Sequence, residues 1–121
     1  MVTTEYEPEK AARARANLAS VGLDGFVEFR VGDALETLRI EPPRAIDLVL
    51  LDGAKSMYLD VLRVVEADIR AGGIVASDNT DHEGLDPFLD YVRTPANGYV
   101  SSAILTPGRQ RPMGHEVTIR L

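Results

Sequence analysis

No cysteine occurs among the 121 residues, which excludes disulfide staples, thiolate metal sites and a cysteine nucleophile, and fits a reducing compartment. Tryptophan is absent too, and the two histidines, His82 and His115, stand apart with no ligand-spaced partner, so neither is a candidate metal ligand. Positive charge is scarce. Thirteen Lys and Arg against nineteen Asp and Glu give a formal net charge of -6, and the basic footprint of a nucleic-acid binder is missing. No apolar run approaches a membrane span or a signal-peptide core, so the expected setting is cytoplasmic, with neither nucleic acid nor membrane as partner. Internal repeats, low-complexity tracts and linkers are also lacking. A chain of this length with 45% apolar residues suits a single domain, 1–121, with a modest core.

What the sequence does contain is an alternation of short apolar runs with helical spacing. "MVTTEY" reads as the end of a strand, after which Pro8 suits a first helical turn flanked by Glu7 and Glu9 at the positive helix end. A helix to about Val21 follows, with Ala11, Ala14, Leu18 and Val21 as its apolar stripe and Gly22 as its cap. "FVEFRV" is the next strand, and "GDALETL" (32–38) opens a short helix that "EPPR" closes. Leu48 to Leu51 is continuously apolar, as a strand buried on both faces of a parallel sheet should be. Tyr58 to Ile69 has helical spacing at Leu59, Leu62, Val65 and Ile69, and "AGG" at 71–73 stops it before the strand "IVAS". Residues 85–93 form a further helix, and "YVSSAIL" and "HEVTIRL" are strands joined by the loop "TPGRQRPMG". The order βαβ(α)βαβαββ predicts an α/β fold, mostly parallel with right-handed crossovers and finished by a C-terminal antiparallel hairpin.

In that arrangement Glu5, Asp33, Asp52 and Asp78 each fall at or just beyond the carboxyl end of a strand. Ligands bind at that rim of an open α/β sheet. Helix caps and turn formers explain any one of these acids equally well. Lys55 could be a solvated surface lysine, and Tyr58 is expected to pack its ring at the start of the helix.

"VTTEYEPEKAARARANL", "VEFRVGDALETL", "DLVLLDGAKSMY" and "GGIVASDNT" resemble successive motifs of the S-adenosylmethionine-dependent O-methyltransferases of the catechol and caffeoyl-CoA type. The D-x-x-K-x-x-Y run after the third visible strand and the D-N pair after the fourth are the most specific pieces. The resemblance implies that Glu5 holds the ribose hydroxyls of the cofactor, that Asp33 with Ala34 borders its adenine, and that Asp52 also lies at the cofactor. It further implies that Asp52, Asp78 and Asn79 ligate a divalent cation, with Lys55 acting near the hydroxyl of a small, catechol-like substrate. The residue types suit that chemistry. Two carboxylates and an amide oxygen are hard ligands for Mg²⁺ or a similar ion and leave positions for water or substrate.

The family's cofactor fold opens with a strand, a glycine-rich turn and a helix, whereas no G-x-G turn occurs here and Gly72-Gly73 precedes a strand. The resemblance therefore implies a Rossmann-like methyltransferase sheet missing its first strand and helix. Such a sheet either closes by pairing "VTTEY" with "IDLVLL" or keeps open edges, and with a helix also missing, apolar residues of "IDLVLL" and "IVAS" lie uncovered. A homo-oligomer is the expected outcome. Two other readings stand beside catalysis. One is a non-catalytic methyltransferase-like remnant or binding module. The other is a phosphoacceptor receiver domain, which shares "DLVLLD" but wants an acidic pair after its first strand and a Lys-Pro after its last, neither of which is found.

Overall fold

The structure is a computed structural model that describes residues 1–108 and 112–121. Residues 109–111 of the expected loop 106–113 thus lie outside the described residues. Two compact units divide the chain, Met1–Pro43 and Arg44–Leu121, and each has its own sheet.

The first unit is built from β1 (Val2–Glu5), α1 (Pro8–Ala19), β2 (Glu28–Val31) and α2 (Ala34–Ile40). β1 and β2 run parallel with Val2 opposite Glu28 and Glu5 opposite Val31. Pro8 does begin α1, but the helix ends two residues before Val21. Gly22 takes a φ of +72°, which favours glycine, and the Leu23 N–H turns back to the Leu18 carbonyl at 2.9 Å. Of the expected stripe only Ala11 is fully buried; Leu18 is half-buried, while Ala14 and Val21 are exposed. Within this unit the helix meets a sheet of two four-residue strands, too small a surface to cover three turns of helix. Arg30 reinforces the unit, its Nε donating to Glu28 at 2.6 Å and its guanidinium to the Glu41 carbonyl beyond α2.

The second unit contains β3 (Ile46–Leu51), α3 (Tyr58–Val65), β4 (Ile69–Ser77), α4 (Asp86–Arg93), β5 (Tyr99–Thr106) and β6 (Met113–Arg120). The sheet order is β3-β4-β6-β5, with β3 and β4 parallel and β6 antiparallel to both of its neighbours. The terminal hairpin therefore inserts its second strand, rather than its first, beside β4. Ile69 belongs to a strand and not to the helix stripe. α3 gives way to a 3₁₀ turn at Glu66–Asp68, and Ile69 starts β4 opposite Ile46. The ladder then slips, so that Leu48 faces Ile74, and the surplus residues pass through Gly72, at φ +81°, and Gly73. A Cβ on Gly73 would lie 2.8 Å from the Arg70 carbonyl and 3.1 Å from that of Ile46. These glycines make a bulge instead of stopping a helix.

The core of this unit lies on one face of the sheet. Tyr58, Leu62, Val65, Phe88 and Val92 of α3 and α4 are buried there, together with Leu51, Val75 and Tyr99 of the strands. Burial of Leu48–Leu51 on both faces, expected from their continuous apolarity, does not occur: Leu48 is 62% and Leu50 67% exposed. Period-two alternation sends both to the uncovered face, where Leu48, Ile74, Ile119 and Val100 form one exposed cross-strand row. Among the described residues β1 has β2 as its one ladder neighbour and β3 has β4, the open-edge alternative.

One buried charge is fully accounted for. Glu116 is 0% exposed and accepts two hydrogen bonds from Arg93, at 2.9 and 2.7 Å, and a third from the Ser101 hydroxyl at 2.6 Å. Burial pushes its carboxyl pKa up, but the hydrogen bonds from Arg93 and Ser101 outweigh burial and hold it below the usual carboxylate value.

Candidate functional site

Register creates the site. Leu51 lies opposite Ser77 in the parallel β3–β4 pair, so the next residues, Asp52 and Asp78, leave the sheet side by side at its carboxyl rim. The Asp78 N–H donates to the Leu51 carbonyl at 2.9 Å, which extends the ladder by one step and fixes the start of both loops. Asp52 and Asp78 line one open pocket of about 180 Å³, whose wall also includes Leu50, Ala76, Ser77 and His115. Asn79 follows on the same turn but is not in that wall. It adopts φ +50°, a left-handed conformation that asparagine tolerates better than most residues.

Lys55 stands in the turn between β3 and α3, mostly covered, with Nζ 3.7 Å from Asp52 Oδ1. Its ammonium donates to the Tyr58 hydroxyl at 2.6 Å and lies 4.9 Å from the centre of that ring. Tyr58 packs as its position suggests, edge-on to Phe88 with centroids 5.6 Å apart and only 2% exposed. Its hydroxyl donates in turn to the Asp78 backbone carbonyl at 3.0 Å. Burial raises the Tyr58 pKa, against the opposing hydrogen bond from Lys55, so the hydroxyl keeps the proton it donates. Lys55, Tyr58 and Asp78 form one polar chain across the rim.

His115 is the residue that sequence reading left out. Ser77 is opposite Glu116 in the β4–β6 ladder, which brings the preceding residue of β6 beside Asp78. His115 Nδ1 lies 2.6 Å from Asp78 Oδ1, and Nε2 lies 2.7 Å from the Thr106 hydroxyl. The signal that could have found it is the pairing of β6 with β4, which spacing along the chain does not contain. Among the described residues no three His, Cys, Asp or Glu side chains gather as a ready metal cage.

The remaining predicted residues belong to the first unit. Glu5 ends β1 and its Oε1 accepts from the Glu7 N–H at 2.9 Å. Asp33 caps α2, with Oδ1 accepting from the Leu35 N–H at 2.7 Å, and Ala34 is the first residue of that helix. For Asp33 the capping role is real and occupies one carboxylate oxygen. Parallel pairing of β1 with β2 puts Glu5 and Asp33 at the same rim of their sheet.

Residues 1–80 match a family model described as a methyltransferase domain. The chain belongs to that family. Methyltransferase relatives agree with the fold: a catechol O-methyltransferase of Mycobacterium tuberculosis (strain ATCC 25618 / H37Rv) is 37% identical over 91% of this chain and 56% of its own length. The solved structure of cofactor-bound Rv0187 from MTB superposes with a TM-score of 0.87 at 28% identity, over 98% of this chain and 60% of that one. The O-methyltransferase TomG of Streptomyces achromogenes, in complex with S-adenosylmethionine, gives 0.84 at 25% identity with the same coverage. The methyltransferase fold is thus the Rossmann-like, mostly parallel sheet with antiparallel C-terminal strands, and the chain spans about 60% of the length of these relatives.

Proposed function

We propose that this chain is an S-adenosylmethionine-dependent, divalent-cation-assisted O-methyltransferase acting on the hydroxyl of a catechol-like small molecule in the cytoplasm. The observation that carries the reading is the pairing of Asp52 and Asp78 at adjacent strand ends, lining one pocket beside Lys55. The names of the relatives, catechol O-methyltransferase and an O-methyltransferase in complex with S-adenosylmethionine, support the same class. No helix among the described residues is long and apolar enough to cross a membrane.

The donor set fits a hard cation. Asp52 and Asp78, whose carboxylates line one pocket, would hold Mg²⁺ or a similar ion, and Asn79 on the adjoining turn would be the amide-oxygen donor beside them. When bound, S-adenosylmethionine supplies the methyl group and the cation favours ionisation of the acceptor hydroxyl. In this reading Lys55 acts from its neutral amine form: the Nζ lone pair takes the hydroxyl proton while an N–H still donates to Tyr58, which holds that nitrogen in place because its own hydrogen is committed to the Asp78 carbonyl. Glu5 is assigned to the ribose hydroxyls, Asp33 with Ala34 to the adenine, and Asp52 to both cofactor and cation. The two units count as one methyltransferase-like domain, 1–121, because the family match runs across the boundary between them.

A homo-oligomer belongs to the same proposal, supported by the exposed row Leu48, Ile74, Ile119 and Val100, since apolar area removed from water stabilises at roughly 25 cal/mol per Å². Sedimentation at micromolar concentration is expected to show a dimer or larger species, and a folded monomer would contradict this. A non-catalytic binding module is the second reading, favoured by Asn79 standing outside the pocket wall that Asp52 and Asp78 share. It predicts no binding of S-adenosylmethionine. The cation site is tested by calorimetry: Asp52→Ala is expected to weaken Mg²⁺ binding by about 100-fold, and unchanged affinity would overturn the assignment.

A further inference from the structure

Asp78, His115 and Thr106 lie on three neighbouring strands or strand ends. Asp78 follows β4, His115 is in β6, and Thr106 closes β5. His115 faces Ile104 in the β5–β6 ladder, so Thr106 is its diagonal neighbour on the same face of the sheet. Both ring nitrogens of His115 are engaged, Nδ1 with the Asp78 carboxylate at 2.6 Å and Nε2 with the Thr106 hydroxyl at 2.7 Å. A carboxylate only accepts, so Nδ1 carries a hydrogen; in the neutral imidazole, Nε2 then accepts from Thr106. An imidazole tied at both nitrogens to separate strands cannot swing freely, and its donor aims at one oxygen of Asp78.

From this geometry we infer that His115 is a positioning residue for the cation site: the Thr106–His115–Asp78 relay fixes the Asp78 carboxylate so that its second oxygen faces the pocket. The inference rests on the cation reading of Asp52 and Asp78. Carboxylate ligands oriented by outer hydrogen bonds hold their ions more tightly because less ordering is left to pay on binding, and losing such a partner costs about 10- to 100-fold in affinity. Asp78 has a second role to reconcile, since its backbone carbonyl takes the Tyr58 hydroxyl. The backbone is thereby fixed by Tyr58 and the side chain by His115, leaving one torsional arrangement for the group. A merely structural cross-strand contact would stabilise the sheet and leave ion affinity unaltered. A contact that competes with the ion would make its loss tighten binding.

Electron paramagnetic resonance of free Mn²⁺, titrated against the full chain, separates these cases. Wild type is expected to bind one Mn²⁺, His115→Leu to bind about 10- to 100-fold more weakly, and Thr106→Val to lose less. His115→Asn, whose amide can donate to Asp78, should recover most of the loss. Urea midpoints for the same variants report folding separately, and the Thr106 and Asn variants carry the test if His115→Leu does not fold. Wild type that fails to bind Mn²⁺ would overturn the cation reading and this relay with it. Wild-type binding lost in Asp52→Ala but unchanged or tighter in His115→Leu and Thr106→Val would overturn the relay alone.

Discussion

Arg93→Leu is expected to lower unfolding free energy at neutral pH by about 3 kcal/mol, because it strands the carboxylate of Glu116 in the interior. Glu116 is fully buried, and two of its three hydrogen bonds come from the Arg93 guanidinium. The Ser101 hydroxyl alone cannot compensate a buried negative charge. In the native protein the Glu116 pKa lies below its usual value of 4.5, so its contribution is present above the unfolded-state pKa and is lost as pH falls through the lower, folded value. Without Arg93, burial alone acts on the carboxyl and favours its neutral form. The deficit of Arg93→Leu relative to wild type should therefore be largest near pH 7 and shrink toward about pH 4. Urea unfolding at both pH values checks this. A deficit that is independent of pH, or one as large in the double variant Arg93→Leu/Glu116→Leu, would show that lost packing rather than an unpaired charge is responsible.

Lys55→Ala is expected to lower turnover of a hydroxyl acceptor by about 10²- to 10⁴-fold while changing the affinity for S-adenosylmethionine little, since a general base acts in the transition state. Lys55→Arg should not restore turnover, because a guanidinium stays protonated. Tyr58→Phe tests the support of that amine: it removes the hydroxyl that Lys55 donates to at 2.6 Å but keeps the ring against Phe88. Initial rates over a range of acceptor and cofactor concentrations give the comparison. Equal losses in turnover and cofactor affinity for Lys55→Ala would make the lysine structural.

The candidate site was largely legible in the sequence where it depends on strand ends. Asp52 and Asp78 follow apolar runs separated by a helix, the order of parallel strands that end at one rim, and the structure pairs those two strands directly. His115 was not legible, because its place beside Asp78 depends on β6 entering the sheet next to β4, a long-range pairing with no local signature. Gly72-Gly73 reads as a helix stop in the sequence, since a glycine pair serves equally to cap a helix or to bulge a strand; the backbone carbonyls of Ile46 and Arg70 crowd Gly73, and that crowding decides between them. The apolar run Leu48–Leu51 suggested two covered faces. In the structure α3 and α4 cover one, and Leu48 and Leu50 show that hydrophobic sequence reports what a strand can bury, not what is there to cover it.

Methyl transfer to a hydroxyl, with the help of a cation held at Asp52 and Asp78, is the reaction we propose. Its most direct measurement is mass spectrometry of catechol incubated with the full chain, methyl-labelled S-adenosylmethionine and Mg²⁺, with and without a chelator. A product carrying one labelled methyl on oxygen is expected, formed with Mg²⁺ and abolished by the chelator. Absence of labelled product with Mg²⁺ present, or its formation at an equal rate under chelation, would contradict it.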